Sequence, residues 1–321
     1  MLRYVICFAA ASMISGASAA ADVYPTKPVR WLAPVLAGGA GDLIARAIAP
    51  KLSELWGQPV VIDNRAGGGG TLGMGVAARM PADGYTLVLG VSSFVAMAPG
   101  VYSKLAYDPV KDFAPVTQIL SAPLILLAHP SLPANNVRNV ITLARAQPRA
   151  ISYGTPGNGS AAHLAMEMFA SMSGTQLLHV PYRGAPPAMV DVMAGQISLY
   201  MGTVPAGLPL VRAGRLKVLA TSGPVRSRVI PDVPTVSESG LKGYEMTTWY
   251  GVLVPAGTPA PVIQRIHTDL VRVIRSPDVQ ERFAAEAGDV VASSPEEFRS
   301  FIVGEIAKWG KVARQAGAKV D

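Results

Sequence analysis

The stretch Val29-Arg30-Trp31-Leu32-Ala33-Pro34-Val35-Leu36-Ala37-Gly38-Gly39-Ala40-Gly41-Asp42 decides the fold. Residues 29–34 read as an apolar strand, and a helical pattern opens near Gly41 and continues to Trp56. Between them lies a glycine-rich turn. A second strand (59–63), a second helix (71–80) and a third strand (85–90) follow, and strand-helix alternation at this spacing means βαβ units around a parallel sheet. Pro50 inside the first helix predicts a kink rather than a break.

The same grammar restarts after Pro123. Residues 124–128, 151–153, 176–180, 197–202 and 216–220 read as strands, and Ala161, Leu164, Ala165, Met168, Phe169 and Met172 recur at helical spacing. From about Met246 the chain returns to a strand (249–254) and then to helices, with Ser294-Pro295-Glu296-Glu297 as a capping box. The apolar face Phe298, Phe301, Ile302, Ile306 and Trp309 is expected to pack back on the first half. The chain then crosses twice, near residues 118–122 and 244–248, which makes a hinge. The expected division is 22–121 plus 247–321 for one lobe and 122–246 for the other.

Two glycine loops, 37–41 and 154–160, each join a strand to a helix. A helix begins with N–H groups that lack intrahelical partners, and glycine lets an anion approach them. Two such ends facing one another would hold a carboxylate. In the first loop Asp42 reads as an acceptor for local N–H groups rather than as a catalytic acid. In the second, Thr155, Asn158, Ser160 and His163 decorate the turn, with Tyr182 ending the next strand. His163 reads equally as a packing histidine or as a ligand contact.

Other chemistries find little support. Gly68, Gly70 and Gly73 spell G-x-G-x-x-G, but Asn64-Arg65-Ala66 separates the run from its strand and no acidic residue follows at dinucleotide spacing. His129, His179 and His267 have no partner at i+4, so no metal site is expected, and no cofactor. Ser160 lies outside a G-x-S-x-G frame; a triad of Ser160, His179 and Asp191 can be written, but its spacing does not recommend it. An exported ester hydrolase using Ser160 is the rival reading. A sensor that presents its liganded form to a membrane signalling partner is the third.

Residues 1–21 carry Arg3, an apolar stretch from Tyr4 to Ile14 and the small-residue run 17–21, which reads as a secretory signal cleaved near Ala19 or Ala21. The single cysteine, Cys7, falls inside it. The mature chain thus needs no disulfide. Without Arg3, 27 basic and 21 acidic side chains leave a net charge of +6, scattered rather than blocked, which suits an anionic ligand and argues against nucleic acid.

Residues 24–30, 34–42, 57–61, 64–65, 83–87, 107–116, 154–164, 180–184, 191–196 and 249–251 closely resemble the Bug-type substrate-binding receptors of tripartite tricarboxylate transporters. The resemblance implies a periplasmic, two-lobed type II flytrap fold, expected to be monomeric. Such a receptor captures a small organic acid and hands it to two membrane subunits. It also implies a ligand set of Val35, Leu36, Ala37, Gly38, Gly39, Asp42, Ser92 and Ser93 from one lobe, with the Gly38 and Gly39 amides at its centre. The other lobe would supply Thr155, Gly159, Ser160, His163, Tyr182 and Met201. The rim departs from the family pattern in being aliphatic at Val35 and Leu36. A carboxylate with an apolar body, packed on Val35, Leu36, Phe94, Met201 or Trp249, is therefore expected over an amino acid, whose ammonium would want an acidic partner.

Overall fold

The computed structural model describes residues 24–319 apart from Glu286; the expected signal segment lies outside the described residues. Among the described residues there are ten strands: β1 (Val29–Ala33), β2 (Val60–Asn64), β3 (Thr86–Val91), β4 (Phe113–Ala128), β5 (Ser152–Thr155), β6 (Leu178–Pro181), β7 (Leu199–Thr203), β8 (Lys217–Thr221), β9 (Thr247–Pro255) and β10 (Asp289–Val290). The helices are α1 (Ala40–Trp56), α2 (Thr71–Ala77), α3 (Ala98–Val101), α4 (Val137–Ala146), α5 (Ala161–Ser173), α6 (Ala185–Met193), α7 (Val204–Arg212), α8 (Ala260–Ile274), α9 (Pro277–Ala285) and α10 (Pro295–Ala316).

The strands form one sheet in the order β2-β1-β3-β9-β4-β7-β5-β6, with β8 and β10 also paired to β4. β1, β2 and β3 are parallel to one another, as are β5, β6 and β7. This is the expected βαβ grammar in each half. The join differs from the sequence reading, which began a new strand after Pro123. β4 is one continuous run that pairs with β9 through Pro123 and with β7 and β8 from Leu124 onward. Its near-unbroken burial on both faces explains why: a strand covered on both sides reads as an apolar run wherever it is cut.

Helix α1 runs through Pro50 without a break and buries Ile44, Ile48 and Leu52 against the sheet. At its end, the Trp56 indole donates to Asp269 of α8 at 2.7 Å, a carboxylate also bonded by Arg265 at 2.6 Å. The capping box at Ser294 is formed, and α10 buries Phe298, Ile302 and Trp309. It does more than pack back on the first half. α10 lies against α3 and β4 but also against α5 of the other half.

One buried carboxylate fastens α10 to the crossing. Glu305 accepts from the Trp249 indole of β9 at 3.2 Å and from the Trp309 indole at 2.8 Å, while its other oxygen accepts from Lys308 at 3.0 Å. Trp249 stacks edge-on against Phe298 and Phe301. Removing an acceptor shared by two buried donors strands both indoles, so Glu305→Ala is expected to lower unfolding stability by about 3 kcal/mol. Glu305→Gln, which keeps an acceptor, is expected to lose less than half of that; urea titration of the pair checks it.

Candidate functional site

Strand register brings the glycine loops into opposition. β3 ends at Val91, whose partner Tyr250 also pairs with Leu120 of β4. On the other side of the handover, Leu124 of β4 pairs with Thr203, the last residue of β7. Both parallel sets therefore point their carboxyl ends at the same short segment of β4. Four residues separate the two levels, about 13 Å of strand. Loops that follow parallel strands collect at that edge, which is where open α/β sheets place ligands.

The first loop is tied down by its own carboxylate. Asp42, buried in the first turn of α1, accepts from the Gly38 N–H at 2.8 Å and from Arg46 at 2.8 Å on one oxygen, and from the Asn64 amide at 3.0 Å on the other. Burial alone would raise its pKa; the bonds from Arg46, Gly38 and Asn64 and the charge of Arg46 together hold it below the ordinary carboxylate value. Asn64 also donates to the Val35 carbonyl. Asp42 is thus the turn acceptor that the sequence suggested.

This geometry corrects the expectation that the Gly38 and Gly39 amides grip the ligand. Gly38 N–H is taken by Asp42, and Gly39 N–H donates to the Leu36 carbonyl at 3.2 Å. The helix starts one residue earlier than read from the sequence, with Gly39 as its N-cap, so the donors at the helix start without a partner among the described residues are the amides of Ala40, Gly41 and Asp42. Leu36, Ala37, Gly38 and Gly39 are exposed along the rim, with Leu36 at 75%, and Val35 is half-buried beside Gly41. Of the two serines at the end of β3, Ser92 is completely enclosed with an unpartnered hydroxyl, whereas Ser93 is half-buried and reaches the edge.

In the second loop the polar groups are again mostly spent on the loop itself. The Thr155 hydroxyl is fully buried and bonds His179 Nε2 at 2.7 Å. His163 Nδ1 accepts from the Gly159 N–H at 3.1 Å, which makes its Nε2 the protonated nitrogen, 3.8 Å from Glu167. Glu167 in turn accepts from the Tyr153 hydroxyl. His163, His179 and Tyr153 stack in one column, with centroid spacings of 4.1 and 5.0 Å. Burial pushes the His163 imidazole down to about 4; burial and then His163 push His179 to about 4, against the opposing pull of Glu167. His163 is therefore a loop brace.

Ser160 is the N-cap of α5 and accepts from the His163 N–H at 3.3 Å, which leaves its own O–H to donate. Beside it the amides of Ala161 and Ala162 have no partner among the described residues. Tyr182 borders the loop, its N–H donating to the Thr155 carbonyl and its hydroxyl to Asp191 at 2.7 Å; burial, with the bond to and charge of Asp191, pushes it up to about 12. Met201 pairs with Leu126 inside the core at 1% exposure and so stands back from the exposed edge. Phe94 and Trp249 are likewise enclosed. Sequence reasoning included Ala40 and Gly41 only as part of the 37–41 loop and passed over Ala161 and Ala162, and the one available signal was their place just after each cap.

The hydrolytic triad does not assemble. His179 Nε2 is engaged by Thr155 and Asp191 by Tyr182, and Ser160 serves as the N-cap of α5. Among the described residues no group of three or more His, Cys, Asp or Glu is placed to hold a metal.

A sheet of this order, with two helix ends opposed across one shared strand, has the architecture of the periplasmic binding proteins. The solved structure of the periplasmic binding protein BugD superposes with a TM-score of 0.78 at 31% identity, covering 92% of this chain and 100% of that one. The chain belongs to the tripartite tricarboxylate transporter receptor family, whose sequence profile matches residues 44–318. BugT of Bordetella pertussis is 35% identical over 305 residues, 95% of this chain and 94% of BugT. R. palustris Rpa4515, solved with adipate, gives a TM-score of 0.81 at 36% identity over 92% of this chain and 100% of that one. MatC from Rhodopseudomonas palustris, solved with malate, gives 0.78 at 28% identity over 90% and 99%.

The histidine column sets a pH dependence. Unfolded imidazoles take up protons near 6.5, whereas the folded pair resists until about 4, so stability is complete above pH 6.5 and falls as pH drops from 6.5 toward 4, levelling off below. Urea unfolding from pH 7.5 to 4 is expected to trace that decline, and His163→Gln to flatten it.

Proposed function

We propose that this chain is a periplasmic receptor that captures a small organic carboxylate between two lobes, formed by 22–121 with 247–321 and by 122–246, and delivers it to the membrane subunits of a tripartite transporter. The observation that carries the reading is the opposition of unpartnered amides, Ala40 and Gly41 against Ala161 and Ala162, across the short handover segment of β4. A helix start favours negative charge through both its free N–H groups and its dipole. The hydroxyls of Ser93 and Ser160 add neutral donors. The related structures solved with adipate and with malate hold small dicarboxylates.

Neutral donors suit reversible capture. A hydrogen bond to a charged group contributes about 1.5 to 3 kcal/mol, so a few of them support micromolar binding after the costs of association. The exposed Leu36 and half-buried Val35 on the rim favour a ligand with an apolar body. As in the rest of the family, the role is that of a receptor and not an enzyme.

A thermal-shift screen of the exported protein against mono-, di- and tricarboxylates and aromatic acids tests this. At 100 times its dissociation constant a true ligand is expected to add about 2.7 kcal/mol of apparent stability. No shift with any carboxylate would sink the reading. For the acid identified, Ser93→Ala is expected to weaken calorimetric binding about tenfold without changing the ligand-free melting temperature.

A further inference from the structure

The glycine run that mimics a nucleotide fingerprint has a different physical explanation. Gly67, Gly68, Gly69 and Gly70 all sit at positive φ (131°, 56°, 65° and 99°), a left-handed course that side chains rarely adopt. A Cβ on Gly70 would lie 2.2 Å from the Phe94 ring, and one on Gly73 would lie 2.4 Å from the Arg65 carbonyl and 2.8 Å from Pro34. Neither position leaves room for a side chain, and neither faces a phosphate. Both are seats for other parts of the protein.

What they seat are the two loops of the first half that reach the cleft edge. Pro34 begins the turn into α1. Phe94 follows Ser92 and Ser93 and stands in a single π-helical turn, 93–97, an uncommon arrangement that recurs at functional sites. The turn packs on α10 and is tied to the glycine run and its surroundings. Its Phe94 ring lies on Gly70, its Phe94 carbonyl accepts from the buried Tyr107 hydroxyl, and Tyr102, just past α3, donates to the Gly68 carbonyl at 3.1 Å. The glycine run is closed on itself by Gly70 N–H to the Gly67 carbonyl at 2.9 Å and by the Thr71 hydroxyl to Gly68 at 2.7 Å.

We propose that residues 67–73 are a positioning element that fixes the Ser92–Ser93 turn and the 34–41 loop relative to each other, and so sets the length of carboxylate the site accepts. Gly70 and Gly73 are positioning residues acting through Phe94 and Pro34. The inference about ligand length rests on the carboxylate reading above; the inference about placement does not.

Amide hydrogen exchange on the ligand-free protein, wild type against Gly70→Ala, is the first test. Exchange is expected to quicken about tenfold at 92–97 and at 35–41 and to stay unchanged around β5 and β6. A change confined to 67–73 would overturn the proposal. Tyr102→Phe, which removes one hydroxyl, is the milder second variant and is expected to show the same pattern at about threefold. Adding Phe94→Leu to Gly70→Ala is expected to restore protection to within about threefold of wild type, a rescue that general loosening of the half would not give.

Titration with succinate and adipate is the second test. Gly70→Ala is expected to shift the ratio of the two affinities by about fivefold or more, and an unshifted ratio overturns the length claim. Should wild type bind neither acid, the length claim is overturned, the carboxylate reading is decided by the wider screen above, and the exchange experiment decides placement by itself.

Discussion

One strand carries the geometry on which the binding reading depends. β4 belongs to both halves of the sheet, and the change of partner between Pro123 and Leu124 is what aims two parallel strand sets at each other. Had the chain used two strands joined by a loop, the angle and spacing between halves would be set by loop torsions. With a single hydrogen-bonded strand they are set by ladder geometry, which is far stiffer. The separation between the two strand levels is thereby built into backbone pairing.

Around that gap, most of the polar groups at the edge hold the loops and leave the ligand to others. Asp42 takes the Gly38 amide, His163 takes the Gly159 amide, and Thr155 takes His179. The pattern is the same on both sides: a side chain near the start of the helix reaches back to the turn before it and fixes where the next amides point. Electrostatic capture works only if the donors are already oriented, because reorienting them on binding would cost what the bonds return. Buried bracing residues supply that orientation.

Much of this was legible in the sequence, and the failures have a common cause. Period and glycine placement located the strands, the helices and both loops, since those signals are local. Hydrogen-bond ownership is not local. Gly38 and Gly39 look like ideal anion donors until Asn64 and Arg46, from other turns, fix Asp42 above them. Met201 and Trp249 are apolar and were expected against the ligand's apolar body, but register sends one into the core beside Leu126 and the other to Glu305. The alternation in β4 was unreadable because both of its faces are covered. His163 could be narrowed to brace or contact, and only the Gly159 bond decides between them.

The last helix adds a mechanical consequence. Because α10 rests on α3 in one half and on α5 in the other, the two bodies do not swing like doors on a bare pin. Any rotation about the shared strand must be taken up by side chains sliding along a helical surface, a shear in which interdigitated ridges resist intermediate angles and favour a few discrete ones. A rotation of that kind would also be felt at the 93–97 turn, on which the same helix rests.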